Sequence, residues 1–410
     1  MQRILSSELA LHIGERVTLA GWVNRRRELK SVSFLILRDR AGLAQVVVPT
    51  GLEMPPEETV VQVTGIVAAN EIAPGGVEVV EPEITLLSGV EHQTPFEIFR
   101  PTLSPALPVQ LEHAPLSLRH PSRRDGLKIG AEVTKAFRET LDGLGFTEIF
   151  TPKIVGSATE SGSSVFTLDY FGQPAYLAQS PQFYKQLMVG VFERVYEVGP
   201  VFRAEKHDTT RHLAQYTSMD AELGFIEDHH DVMRVLRDVM AGMFGRVSDI
   251  EVPEEVPAVH FTEALRITGA DPSEPDLAPA DERALCEWAL REHGTDFLYV
   301  TGFPLESKPF YTHPDPLRPG YTNGFDLLYK GLELVTGGQR LHRYEDYVAE
   351  LARRGEPIEP VRSYVESFKV GYPPHGGFAI GLERLVAKLT GAANVREITA
   401  FPRDLHRVSP

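Results

Sequence analysis

Six prolines fall between Thr94 and Arg124, in TPFEIFRPTLSPALPVQLEHAPLSLRHPSRR. Each fixes φ and removes a backbone donor, so neither a continuous helix nor a central strand can run through the stretch. The chain reads differently on its two sides. Before it come short β-rich runs without a long helix; after it come amphipathic helices mixed with strands. We therefore expect two domains, residues 1–88 and 125–410, joined by a hinge over residues 89–124. A chain of 410 residues with 42% hydrophobic content can bury a sizeable core in both.

Between Arg16 and Leu87 the β-rich runs are VTLAGWV, VSFLILRD, LAQVVV, VVQVTGIVAA and GVEVVEPEITLL. Five such runs separated by turns predict a small five-stranded barrel of the OB type rather than a sandwich. Phe34 and Gln45 lie on neighbouring runs joined by a turn at Ala41 and Gly42, so a ring and an amide can address one base together. A strand phenylalanine is also an ordinary core residue, and the barrel alone does not decide between the two.

The net charge of −16 argues against a nucleic-acid partner, but Arg25, Arg26, Arg27, Lys30, Arg38 and Arg40 cluster near the N-terminus, and one basic patch on an acidic protein can hold RNA. No apolar run is long enough to span a bilayer and the N-terminus is polar throughout, so we expect no membrane partner and a cytoplasmic location. Cys286 is the only cysteine, which excludes an internal disulfide and a thiolate metal cluster. A buried small hydrophobe on a helix is the expectation for it.

In the second half, VYEVGPVFRAE and QYTSMDAELGFI predict the arms of a hairpin whose tip carries Lys, His, Asp, Thr and Arg. Arg203 and Glu205, two apart, share a face, while Arg211 and His212 sit at the far end and Tyr216 on the return arm. Such a tip suits a polyanion; it is equally a solvated surface hairpin. LKIGAEVTKAFRETLDGLG predicts an amphipathic helix, and in YLAQSPQFYKQLM a strand leads into a helix begun by Ser180 and Pro181, with Gln182 and Lys185 on one face. Gly, Ser and Thr around Glu160 predict a loop. Residues 251–320 hold one predicted helix, ADERALCEWALREHG, and no recognisable chemistry. The tandem His229 and His230 lack partner ligands at regular spacing, as surface histidines do. Asp326 and Glu333 stand on two strand-like runs joined near Lys330 and Gly331, where two carboxylates can face one cavity and offer hard oxygens to Mg²⁺.

The hairpin spelling F-R-x-E, then R-H-x-x-x-Y, resembles motif 2 of the class II aminoacyl-tRNA synthetases. GFTEIFTPKIV, closing on Pro152, resembles motif 1, and G-L-E-R-L resembles motif 3. With Q-S-P-Q-x-Y-K and G-G-Q-R between them and F-L-x-L-R-D in the barrel, nearly the whole chain is similar to aspartyl-tRNA synthetases, of the archaeal and eukaryal type with only a short insertion between motifs 2 and 3. The resemblance implies an α+β fold, a five-stranded OB barrel followed by a class II catalytic domain with an antiparallel sheet flanked by helices. No G-x-G-x-x-G opens a βαβ unit, so a Rossmann fold is not expected. Motif 1 implies a homodimer.

The same resemblance implies the site. ATP falls to Arg203, Ala204, Glu205, Arg211, His212, Leu213, Tyr216, Glu333, Gly381, Leu382, Glu383 and Arg384, with Tyr216 and Arg384 on the two faces of adenine. L-Aspartate falls to Glu160, Gln182, Phe183, Tyr184, Lys185, Arg203, Thr336 and Arg340, with Glu160 at the α-amino group and Arg340 forked onto the side-chain carboxylate. Mg²⁺ falls to Glu333, Thr336 and Asp326, and the catalytic residues are Arg203, Arg384 and Glu333. Phe34, Gln45 and Glu78 would read the anticodon. Relatives that tell aspartate from asparagine tRNA carry a tryptophan and a lysine where Asn24 and Pro74 stand, which implies that both tRNA(Asp) and tRNA(Asn) are charged with aspartate. The rival readings are an asparaginyl-tRNA synthetase and a non-catalytic tRNA-binding paralogue.

Overall fold

Alternation of small aliphatic side chains builds the N-terminal barrel. In the computed structural model, which describes all residues except Met1, Ser31, Thr50, 158–164, His207 and Pro410, the chain divides into two units, Met1–Ser122 and Arg123–Pro410. The first contains β1 (Arg16–Glu28), β2 (Ser33–Arg38), β3 (Leu43–Val48), β4 (Val60–Ala69) and β5 (Val77–Ser88). They close in the order β1-β2-β3-β5-β4, as the five β-rich runs predicted. Val17, Leu19, Leu35, Val46, Val63 and Val79 point inward and none is more than 4% exposed. Burying each contributes roughly 1.5–3 kcal/mol. The β1–β2 register shifts between Val23 and Arg25, which leaves Asn24 as a bulge residue.

The proline-rich stretch is more ordered than the sequence implied. It carries α1 (Leu107–Glu112) and α2 (Ala114–Ser117), and α3 (Pro121–Gly143) begins at its last proline. Pro108 and Pro115 sit in the first turns of their helices, where a missing N–H leaves nothing unpaired, so these prolines start helices rather than forbid them.

The second unit continues with β6 (Thr147–Glu148), β7 (Ile154–Val155), β8 (Thr167–Tyr170), β9 (Gln173–Leu177), α4 (Gln182–Phe192), β10 (Arg194–Phe202) and β11 (Gln215–Gly224). Then come α5 (His229–Val247), β12 (Ala258–His260), α6 (Phe261–Thr268), α7 (Pro279–His293), β13 (Phe297–Thr301), β14 (Gly324–Tyr329) and β15 (Leu332–Gln339). The chain closes with α8 (Tyr344–Arg354), α9 (Arg362–Ser367), β16 (His375–Gly381) and α10 (Leu382–Thr390).

Eight strands form one sheet in the order β12-β13-β14-β15-β16-β11-β10-β6. Its centre is antiparallel, as expected, but both edge pairs, β12 with β13 and β6 with β10, are parallel. Parallel neighbours need a crossover, and each pair has one, through α6 and α7 at one edge and through α4 at the other. Cys286 is buried on α7, matching its expectation. One sheet face is covered by α3 and α5, whose Phe137, Leu141, Leu236, Met240 and Phe244 pack on Met219, Phe325 and Phe378. On the opposite face α6 and α7 cover Leu298, Val300 and Leu328 at one edge and Val189 of α4 packs on Val195 at the other, which leaves the middle of that face to polar side chains.

Candidate active site

Along β11 the odd positions Met219, Ala221 and Leu223 enter the core, so Tyr216, Ser218, Asp220 and Glu222 stand on the other face. On the neighbouring β16 the same parity puts Gly377, Ala379 and Gly381 beside them, opposite Phe378 and Ile380 in the core. Glu333 and Thr336 on β15 are three apart, an odd spacing that would place them on opposite faces of a regular strand. The β14–β15 register shifts so that Leu328 pairs with Glu333 and Leu327 with Val335. Leu334 is therefore an extra residue, and both Glu333 and Thr336 reach one recess.

That recess, about 790 Å³ counted out to its mouth, is lined by Arg203, Glu205, Arg211, His212, Leu213, Tyr216, Glu333, Thr336, Gly381, Glu383 and Arg384. Eleven residues expected at ATP or metal are thus brought together; Ala204, Leu382 and Asp326 are not among the lining, and Leu382 packs against the core. The regular strand stops at Phe202, so Arg203 and Glu205 lie beyond it, paired at 3.8 Å, with the Arg203 guanidinium 5.7 Å from the centre of the Tyr216 ring. Glu383 accepts from the Thr217 N–H at 3.0 Å, tying α10 to β11, and burial raises its carboxyl above the usual range. Arg384 reaches the carbonyl oxygens of Arg211 and Glu333, each at 3.5 Å.

A second recess adjoins the first and shares Arg203, Tyr216, Ser218, Thr336 and Ala379 with it. Gln182 and Arg340 line it as expected, and with them Ser180, Asp220, Lys308, Tyr311 and Thr312, which the sequence reading missed. The Gln182 Nε2 is buried without a hydrogen-bond partner among the described residues. Ser180 Oγ accepts from the Gln182 N–H, and α4 starts one residue later than predicted, with Pro181 as its cap.

Three expected aspartate contacts are placed elsewhere. Phe183 stacks on Tyr364 at 4.2 Å within an aromatic core. Tyr184 lines neither recess. Lys185, 1% exposed, is clamped beneath the floor by Asp220 Oδ1 at 3.0 Å, the Phe378 carbonyl at 3.2 Å and Glu222 Oε2 at 3.4 Å. Its charge acts on Asp220, which does line the recess. Glu160 lies outside the described residues.

Glu222 organises the cations. Arg340 Nε donates to it at 3.0 Å while Arg340 Nη2 donates to the Gly377 carbonyl. Gly377 leaves the room: a Cβ there would lie 2.1 Å from both Glu222 Oε2 and the Ala221 carbonyl. Burial pushes the Glu222 carboxyl up, but Arg340, Lys185 and His375 outweigh it and hold the group below its ordinary 4.5. A depressed carboxylate stabilises the fold above its unfolded value and loses that contribution as pH falls. The native chain should therefore lose stability as pH drops below about 4.5. Glu222→Gln, which leaves two buried cations short of a counter-charge, should be less stable at pH 7 by roughly 3–5 kcal/mol and lack this acid-sensitive component. Thermal melts from pH 3 to 8 read both, and superimposable curves for the two proteins would refute the assignment.

Glu333, Thr336 and Asp326 offer an all-oxygen donor set that fits a hard divalent cation. Burial above all, and the neighbouring Glu333, push Asp326 up to about 7 against the pull of Lys308. Asp326 differs from the expectation in one respect. Both its oxygens receive Lys308 Nζ at 3.2 Å, so a direct metal contact requires that ammonium to leave. Asp228, His229 and His230 bring ligand atoms within 4.8 Å of one another, but none lines either recess.

On the barrel, Gln45 and Glu78 are register partners, and Gln45 Nε2 donates to Glu78 Oε2 at 2.9 Å. Asn70, missed in the sequence, donates to the same oxygen at 2.8 Å. Phe34 is half-buried on β2, two residues before Ile36, the partner of Gln45. The Asn24 Oδ1 accepts from Arg38 Nη1 at 2.8 Å, which turns its NH₂ away from that contact, and Pro74 is exposed in the β4–β5 turn. Arg38 is itself forked onto the buried Glu58.

Comparison with known proteins agrees with this geometry. Residues 107–405 match the family described as tRNA synthetases class II (D, K and N), and residues 17–87 match the OB-fold nucleic acid binding domain. An aspartate–tRNA(Asp/Asn) ligase of Thermus thermophilus is 45% identical over the whole of both chains. One from Methanopyrus kandleri is 43% identical over 97% of this chain and 96% of its own. Among solved structures, asparaginyl-tRNA synthetase from Pyrococcus horikoshii complexed with asparaginyl-adenylate aligns with TM-score 0.91 and 30% identity over all of both chains. Aspartyl tRNA synthetase from Entamoeba histolytica aligns with TM-score 0.87 and 27% identity, over all of this chain and 93% of the other. With an OB barrel ahead of a two-recess sheet whose centre is antiparallel and full-length relatives of this kind, the chain belongs to the class II aminoacyl-tRNA synthetases, in the family of the aspartate–tRNA(Asp/Asn) ligases.

Proposed function

We propose that this chain joins L-aspartate to tRNA(Asp) and tRNA(Asn), using ATP and passing through aspartyl-adenylate. The observation that carries the reading is the pair of contiguous recesses with Arg203 at their junction. An aspartate α-carboxylate oxygen attacks the α-phosphorus of ATP, the bond to pyrophosphate breaks, and a hydroxyl at the tRNA 3′ end then attacks the activated carbonyl, releasing AMP. The carboxylate is already a nucleophile, so positioning and charge stabilisation do most of the catalysis. Arg203 meets the charge developing on the α-phosphate. Tyr216 and Arg384 hold adenine. Arg340 takes the side-chain carboxylate, and Asp220, charge-balanced by Lys185, gives the α-ammonium a partner, with Glu160 proposed as a second. Gln182 supplies its unpartnered amide donor. Glu333 and Thr336 would hold Mg²⁺, which would supply positive charge to the phosphate oxygens.

At the barrel, Phe34 stacks on an anticodon base and Gln45 and Glu78 read its edge. With its Oδ1 held by Arg38, Asn24 has its amide NH₂ to offer, and cytosine and uracil both carry an acceptor for it, while Pro74 offers no donor, which supports charging of both tRNAs. The enzyme acts in the cytoplasm as a homodimer; among the described residues no helix is long and apolar enough to cross a membrane. Exposed Phe150 (84%) and Ile154 (47%) flank Pro152, and covering them calls for a second copy. Sedimentation at micromolar concentration tests this, and a monomer would overturn it. Amino-acid-dependent ATP–pyrophosphate exchange tests the chemistry: aspartate should support it and asparagine should not, and the reverse preference would overturn the substrate assignment.

A further inference from the structure

Glu282 is a buried carboxylate to which the reaction above gives no task. It lies in the first turn of α7, within the segment that showed no chemistry in the sequence, and is 4% exposed. The first turn of a helix favours a negative charge. Its two oxygens receive Arg211 Nη1 at 3.2 and 3.3 Å, and Oε2 also accepts from the Glu333 N–H at 2.9 Å. Arg384 meets the carbonyls of the same two residues from α10. Burial raises the Glu282 carboxyl while the Glu333 N–H and Arg211 oppose the rise.

A charged side chain is rarely buried without a partner, and this one has chosen a loop arginine and the backbone of a strand residue, both on the wall of the ATP recess. Arg211 has five N–H donors in a planar fork and gives Glu282 only those of Nη1, which leaves Nε and Nη2 for an anion in the recess. Without Glu282 the arginine, at the tip of a long hairpin loop, would have to be ordered by the nucleotide itself, at a cost in affinity.

We propose that Glu282 is a positioning residue: it holds the Arg211 guanidinium ready beside Glu333 for the phosphates of ATP, so that the α7 segment helps to set nucleotide affinity. This rests on the ATP reading above.

Wild-type ATP–pyrophosphate exchange is measured first, because its absence would refute that reading and not the role of Glu282. Glu282→Gln keeps an acceptor for the Glu333 N–H and removes the charge from Arg211. The KM for ATP should rise roughly tenfold, on the scale of losing the group that orients a contact residue. The KM for aspartate should stay within about twofold, as should kcat, since the lost interaction orders a binding residue rather than the transition state. In an Arg211→Gln background the same substitution should add nothing, because its route of action is gone. An unchanged ATP KM, an equal rise for both substrates, or full additivity in the double variant would each overturn the proposal. If Glu282→Gln does not fold, Glu282→Asp keeps the charge and shortens the reach; it should still raise the ATP KM selectively, and an unaltered value would overturn the proposal equally.

Discussion

Arg203→Ala lowers aspartate-dependent ATP–pyrophosphate exchange by about a hundredfold or more, the usual cost of removing one preorganised donor from a reacting centre. The backbone here is already fixed, since the Arg203 N–H donates to the Ala214 carbonyl at 2.9 Å and the strand pairing of Phe202 with Gln215 immediately precedes it. Truncation therefore removes the guanidinium without unravelling the hairpin. Because the charge it meets develops as the α-phosphorus is attacked, kcat should fall more than the KM values rise. Binding of tRNA should stay within a few-fold of wild type, because Phe34, Gln45 and Glu78 belong to the other unit. Exchange at a near wild-type rate would remove Arg203 from the reaction.

Arg340→Leu should weaken aspartate by roughly 3–5 kcal/mol while leaving the ATP KM within a few-fold, because a desolvated carboxylate loses its fork-shaped partner. Arg340 is half of a buried pair with Glu222, so some stability is lost with it. Melting curves separate the two effects: the folded fraction at the assay temperature is measured, and aspartate affinity is compared on that fraction. If aspartate binds within a few-fold of wild type, the side-chain carboxylate is recognised elsewhere, and Lys308, which lines that recess with Arg203 and Arg340, becomes the candidate.

The barrel was legible because Val and Leu alternate along five short runs, and a period of two has few other interpretations. The first recess was legible because the residues that line it crowd into one hairpin, one strand and one helix start. What was missed came from tertiary contacts. Lys308 and Glu282 arrive from a segment whose local sequence looks like a connector, and nothing short of the sheet order brings it to the site. Lys185 shares a helix face with Gln182, but that face is graded in depth, and only Gln182 reaches the recess. Phe183, adjacent to both, is turned into aromatic packing. Glu333 and Thr336 share a recess only through an unpaired Leu334, and no spacing rule announces a bulge. One signal was available and unused: Tyr216, Ser218, Asp220 and Glu222 alternate with Met219, Ala221 and Leu223, which marks a polar strand face. The prolines of residues 94–124 forbade long elements but not short helices that start on them.

The most direct test is to charge purified transcripts of tRNA(Asp) and tRNA(Asn) with aspartate and, separately, with asparagine. Aspartate should be attached to both, with kcat/KM values differing by less than about a hundredfold, below what a well-read base at about 1–3 kcal/mol per contact pair can impose. Asparagine should be attached to neither. Attachment of asparagine, or a preference for tRNA(Asp) well beyond a hundredfold, would contradict the assignment of an aspartate ligase that serves both tRNAs.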